Sequence, residues 1–172
     1  MNYEFFTFIC ERISEALDMN INISIKSSWI PKANLGLYAK SFIRKGQVVT
    51  CYKGEILTTK DAIKLKDKSY LMRIGNNCYI DANYSKYSLA RYINDCRNKQ
   101  GYNVMFLKCK IEACAWVISL RDISEGEELY VDYGKWYWAG IDKNSISNLS
   151  YFKLNKLISG VKGLKAQDCK LT

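Results

Sequence analysis

The feature that most constrains the fold is how briefly each apolar pattern lasts. Between residues 21 and 138, β-branched and aromatic residues come in short stretches, many of them cut off by Gly or Asn turns and the rest by charged residues. Ile21, Ile23 and Ile25 alternate with Asn22, Ser24 and Lys26, the pattern of a half-buried strand. Pro31 to Gly36 reads as a turn. Short strands are expected at 36–39 and 47–52, with Arg44-Lys45-Gly46 turning the chain between them. Further strands are expected near 77–80, 103–109, 113–120 and 128–131, a charged helix over 59–67, and one or two helical turns over 86–93. The pattern changes only at the ends. Phe5, Phe6, Ile9, Ile13, Ala16 and Leu17 fall on one face of a helix over 3–18; Ile146, Leu149, Phe152, Leu154, Leu157, Ile158 and Val161 do the same near the C-terminus. Short strands flanked by helices indicate an α+β domain of several small sheets.

A chain of 172 residues, 48% apolar and 13% aromatic, can bury one real core. Its purely apolar stretches are far too short for a membrane span. The opening Met1-Asn2-Tyr3-Glu4 lacks a basic segment, so no signal peptide is expected and the chain reads as intracellular. Seven cysteines are scattered without a Cys-x-x-Cys pair, which reads as reduced thiols, several buried as small hydrophobes, and no metal site. There is no histidine. That excludes Ser/His/Asp and Cys/His nucleophile systems and leaves proton traffic to carboxylates, lysines, water and the thirteen tyrosines. The net charge of +9 suits an acidic partner such as nucleic acid, or simply a solvated basic surface.

Four segments carry chemistry, in this order. The first is Ala33-Asn34-Leu35-Gly36-Leu37-Tyr38-Ala39 with the following 43–49, and the second is Tyr52-Lys53-Gly54-Glu55. The third is Arg91-Tyr92-Ile93-Asn94-Asp95-Cys96-Arg97-Asn98, and the fourth runs from Gly126 through Glu127, Glu128, Leu129, Tyr130, Val131 and Asp132 to Tyr133-Gly134. Together they resemble the SET domain of protein-lysine methyltransferases, with some features of the related PR domains. The last two resemble that family's Arg-Phe-x-Asn-His-Ser-Cys and Glu-Glu-Leu-x-x-x-Tyr-Gly patterns. The resemblance implies small, mostly antiparallel sheets with a threaded, pseudoknot-like core. It places the SET domain at 21–138, with helical flanks at 1–20 and 139–172.

The resemblance also implies S-adenosylmethionine as methyl donor and assigns residues to it. Ala33, Asn34 and Leu35 form the turn that meets its methionine part. Asn34 stands where the family usually has Gly, a mild departure, because Asn is the next cheapest residue at positive φ. Asn94 and Asp95 fall where an Asn-His pair contacts the adenine. An Asn amide can offer both a donor and an acceptor to a purine edge, whereas Asp95 departs from the His. Tyr70 resembles a further cofactor contact, and Trp136 or Trp138 a ring that stacks on adenine.

Transfer of a methyl from a sulfonium to an amine is an in-line displacement, so alignment and exclusion of water are what a protein must provide. The lysine must be neutral, and a narrow apolar channel lowers its pKa from about 10.4. Tyr133 and Tyr52 match the family's catalytic and channel tyrosines, and Tyr130 and Val131 complete the expected lysine channel. Val131 stands where a Phe or Tyr often limits the number of methyls added.

The implied substrate is a lysine in a basic protein tail, a histone or nucleosome, in the nucleus, or in a host's nucleus, or in the cytoplasm. Glu125, Glu127, Glu128 and Asp132 read equally as an acidic cleft for such a tail or as a solvated turn before a strand, while the basic remainder makes non-specific contact with DNA. No membrane contact is expected. A non-histone substrate, a PR-like interaction module with little catalysis, and a nucleic-acid-binding module are the alternatives.

Overall fold

The computed structural model describes residues 22–134 and Tyr137. The chain divides into two units, Met1–Asp132 and Tyr133–Thr172. The helices expected over 3–18 and 146–161 lie outside the described residues.

In the first unit, β1 (Ile23–Ser27) and β2 (Leu35–Ala39) form an antiparallel pair, with Ile23 opposite Ala39 and Ser27 opposite Leu35. A second sheet has the order β3-β8-β7, from β3 (Val48–Tyr52), β7 (Val104–Cys109) and β8 (Cys114–Ser119). A third has the order β4-β6-β5, from β4 (Glu55–Leu57), β5 (Leu71–Gly75) and β6 (Cys78–Asp81). Among the described residues these sheet pairings are antiparallel, and an isolated bridge between Asn94 and Tyr130 is parallel.

The α-helix, α1 (Thr59–Lys64), is capped by Thr58, whose Oγ1 accepts from the Asp61 N–H at 3.3 Å. It stops three residues short of the expected 67, as Leu65 leaves helical geometry. A 3-10 helix over Leu89–Tyr92 packs against β2 and β3 and fills the expected 86–93 turn. β4 and β5 were not anticipated: β4 is three residues long, and Arg73 breaks the apolar pattern of β5.

The core draws single residues from many elements: Leu37, Ile80, Ile93, Val104, Val117, Ile123 and Leu129 are almost wholly buried. Each contributes roughly 1.5–3 kcal/mol by leaving water. Ile23 belongs to this core, but Ile25 is 39% exposed, so the alternation read along β1 buries only one end of the strand.

The expected strand at 128–131 forms no sheet of its own. Its backbone is instead held from three sequence-distant places. Leu129 N–H donates to Leu37 O at 2.7 Å, and Val131 N–H to Asn94 O at 3.0 Å. The N–H groups of Asn103 and Val104 donate to Tyr130 O at 3.1 and 3.2 Å. The Asn103 side chain completes the hold, accepting from Tyr130 N–H and donating to Glu128 O, both at 2.8 Å.

Candidate functional site

The turn between β1 and β2 is built on Asn34. Leu35 N–H donates to Ala33 O at 2.8 Å, a γ-turn centred on Asn34, whose φ is +60°. The left-handed backbone expected here from the Gly-to-Asn exchange is present. Asn34 and Leu35 are exposed and Ala33 is half-buried, so the turn faces solvent.

Asn94 reaches this turn from the end of the 3-10 helix. Its Nδ2 donates to Leu35 O at 2.8 Å and lies 3.2 Å from Ser28 Oγ and 3.3 Å from Glu128 Oε1. Glu128 gathers the remaining donors. Ser28 Oγ donates to its Oε1 at 2.6 Å; Trp29 N–H, Tyr38 Oη and Tyr130 Oη donate to its Oε2 at 2.8, 2.9 and 2.8 Å. All five donors are neutral groups. Burial pushes the Glu128 carboxyl up, but the hydrogen bonds from Ser28, Trp29, Tyr130 and Tyr38 outweigh it, and the net shift is downward. Glu128 is therefore a buried, ionised carboxylate behind the turn. Burial, and then Glu128, push Tyr38 up to about 12, and Tyr130 moves up for the same two reasons.

A second group forms around Tyr52, which is buried at the end of β3. Its hydroxyl donates to Tyr70 O at 2.6 Å, and its ring meets Phe106 edge-on at 5.6 Å. Arg91 lies over the Tyr70 ring, 3.9 Å from its centre, and donates through Nη1 to Asn83 O at 2.7 Å. Both groups depend on one short piece of chain, since Arg91 and Asn94 are three residues apart. Gly54 lets the chain turn out of β3: a Cβ there would stand 2.1 Å from Asp81 O.

Asp95 is turned into its own loop. Its Oδ1 accepts from Arg97 N–H and from Tyr102 Oη, both at 2.7 Å. Val131 is buried. In the second unit, the Tyr133 ring meets Tyr137 edge-on at 4.6 Å, Gly134 has a φ of +82°, and Tyr137 N–H donates to Gly134 O at 3.2 Å. Trp136 and Trp138 lie outside the described residues.

A family profile described as the SET domain matches residues 34–134, more than half of the chain. The chain belongs to the SET-domain family. Among curated relatives, this SET domain is similar to a Neurospora crassa "Histone-lysine N-methyltransferase, H3 lysine-4 specific", 36% identical over 111 residues, or 58% of this chain and 8% of that protein. It is similar to the Danio rerio "N-lysine methyltransferase KMT5A-A", 28% identical over 141 residues, or 72% of this chain and 39% of that protein. It is also similar to the Arabidopsis thaliana "Histone-lysine N-methyltransferase ASHH2", 30% identical over 115 residues, or 59% of this chain and 6% of that protein. The matches thus span well under half the length of each of these relatives.

The fold of this SET domain brings Ala33, Asn34, Leu35, Asn94 and Tyr130 into one network, and Tyr52 and Tyr70 into another. Tyr130, expected beside Tyr52, has its hydroxyl on Glu128 instead. The acidic cleft needs correction. Glu128 is buried and committed to five donors, and Glu127 pairs with Arg121 at 2.8 Å and accepts from Ser124 N–H at 2.6 Å. Only Glu125 and Asp132 of the four are exposed. Asn94 also differs from expectation, because its amide nitrogen is spent inside the protein. Ser28, Tyr38, Asn103 and the stacked Arg91 had no role in the sequence reading. Their one shared signal was proximity in sequence to the four motifs, which does not tell a hydrogen-bond partner from a bystander.

Proposed function

We propose that this SET domain transfers a methyl group from S-adenosylmethionine to a lysine in a basic protein tail, a histone tail being the substrate class we favour. The observation that supports this most directly is the 2.8 Å hydrogen bond from Asn94 to Leu35. It ties together the two segments expected to hold the donor, 59 residues apart in sequence.

The donor is a sulfonium cation and supplies an electrophilic methyl group when bound. The residues present suit it. The Ala33–Leu35 turn faces solvent at Asn34 and Leu35, and the ionised Glu128 behind it, held by neutral donors alone, favours a cation nearby. Asn94 and Asp95, whose side chains are engaged inside the protein, border the adenine. Tyr70 borders that site, and Trp136 or Trp138 stacks on the base, a contact worth roughly 1–3 kcal/mol.

The resemblance implies Tyr52, Val131 and Tyr133 as walls of the lysine channel. The Tyr52 ring is fixed by Phe106 at its edge and by the Tyr70 carbonyl at its hydroxyl, so it needs no rearrangement to form a wall. Apolar walls desolvate the amine and favour its neutral, attacking form. The Tyr133 hydroxyl orients it at the transfer point. In this reading the basic surface makes non-specific contact with nucleosomal DNA and the protein acts in a nucleus.

The test is incubation with labelled donor and a panel of histones, nucleosomes and unrelated basic proteins, with products mapped by mass spectrometry. Methyl-lysine on a histone tail supports the whole reading; methyl-lysine only on other proteins overturns the histone part. Donor at a hundred times its Kd should stabilise the fold by about 2.7 kcal/mol. Absence of both a thermal shift and calorimetric binding would leave an interaction module of the PR kind.

A further inference from the structure

Three thiols that look scattered in sequence meet on one sheet. Cys109 and Cys114 are register partners across β7 and β8. Cys51 of β3 pairs with Trp116, two positions along β8 from Cys114, and so lies on the same face. Cys51 and Cys114 are thus diagonal neighbours on adjacent strands. None of the three is in a disulfide. Among the described residues, no three Cys, Asp or Glu side chains are grouped to hold one metal ion. The arrangement instead suits chemistry between two sulfurs.

The pair is asymmetric. Cys51 is half-buried, whereas Cys114 is 1% exposed, so an oxidant in solution meets Cys51 first. The interaction with Cys114 lowers the Cys51 pKa against burial, with help from the Lys53 charge. The same interaction, and then burial, push Cys114 up. Cys51 is therefore the better thiolate and Cys114 the held proton. Glu112 Oε2 lies 3.6 Å from Cys114 Sγ, ready to accept that proton.

We propose that Cys51 and Cys114 form a peroxide-responsive thiol pair that closes a reversible disulfide between β3 and β8. The Cys51 thiolate attacks one oxygen of hydrogen peroxide; the O–O bond breaks, hydroxide leaves, and the sulfur becomes a sulfenic acid. Cys114 gives its proton to Glu112 and attacks the Cys51 sulfur. The S–S bond forms, the S–O bond breaks, and the departing hydroxide takes the proton as water. In sum, two thiols and one peroxide give one disulfide and two waters. Diagonal cross-strand cysteines need a small shift of β3 to reach bonding distance, so the bond is strained and easily reduced, as switch disulfides are. Tyr52 is the next residue along β3, and the shift would draw its ring from Phe106. That consequence rests on the functional reading above; the thiol chemistry does not.

The test uses the reduced full chain, treated with hydrogen peroxide, blocked at remaining thiols and digested with trypsin without reduction. The three cysteines fall in separate peptides, 46–53, 109–110 and 111–121. The expected product joins 46–53 to 111–121, lighter by two hydrogens, and disappears on reduction. In Cys114→Ser, Cys51 should stop at the sulfenic acid and be trapped by dimedone. A link between 109–110 and 111–121 in its place, no link at all, or dimedone labelling that spares Cys51 would each overturn the proposal. None of these readouts involves methyl transfer, so they stand apart from the test of function.

Discussion

Gly36 and Glu128 occupy one space between them: a Cβ on Gly36 would stand 2.1 Å from Glu128 Oε1. The side chain that β2 omits is what lets a carboxylate from the fourth motif lie against the first. Gly36→Ala should therefore destabilise the domain by about 2–4 kcal/mol, through overpacking and the hydrogen bonds displaced with the carboxylate. Chemical denaturation measures this. Because Glu128→Ala removes the clashing atoms, the double variant should be more stable than the sum of the two single losses. Strict additivity would show that the two positions do not share this space.

The Glu128 carboxyl also sets an acid limit. Its pKa is held below the usual carboxylate value of about 4.3. A group depressed on folding contributes stability that is present above its unfolded pKa and is lost as pH falls through its folded pKa. Glu128→Gln should be less stable at neutral pH and should lose stability less steeply below about pH 4. Urea unfolding from pH 7 to pH 3 tests it; parallel curves for the two proteins would refute the assignment.

At the other extreme, Tyr38 is pushed up to about 12. Its contribution is full below its unfolded pKa near 10 and is lost as pH rises through about 12. Tyr38→Phe should therefore be the less stable protein at neutral pH, and the gap to the wild type should narrow above pH 10. A gap that stays constant to the alkaline limit would disprove the Tyr38–Glu128 bond.

Asn34 holds a positive φ, so its substitutions should divide by backbone tolerance. Asn34→Gly should change stability by less than about 1 kcal/mol, whereas Asn34→Val should destabilise by about 1–3 kcal/mol. Under the proposed function, Asn34→Val should also weaken donor binding in calorimetry. Equal melting temperatures for the two variants would remove the turn from the site.

Tyr52 and Tyr133 divide the proposed chemistry. Tyr133→Phe keeps its ring and should reduce turnover on the order of 10²-fold or more with little change in donor affinity. Tyr52→Phe loses the bond to Tyr70 O, so stability should fall by about 0.5–1.5 kcal/mol. Tyr130→Phe should act on stability through Glu128 rather than on transfer. Near-normal turnover in Tyr133→Phe, with a dead Tyr130→Phe, would move the register of the fourth motif.

What the sequence determined was local. Alternation and turn residues identify β2, β3, β6, β7 and β8 because a strand's period and a turn's φ are properties of adjacent residues. The family resemblance, with Asn standing where Gly is usual, put a left-handed turn at Asn34 before any partner was known. Alternation failed at β4 and β5, where the segments are too short or too polar for periodicity to register.

Tertiary structure alone decided what those residues meet. Glu128 looked like one of four surface acids, yet a pairing 90 residues away in sequence gives it Tyr38 and makes it a buried centre. Asn94 read as a donor for a cofactor, but spends its amide on Leu35. Cys51, Cys109 and Cys114 had no common spacing and met because β8 lies between β3 and β7. The physical reason is the same in each case. A side chain's hydrogen-bond partner, pKa and reactivity depend on which strand is brought beside it, and strand order is set by the packing of the whole core.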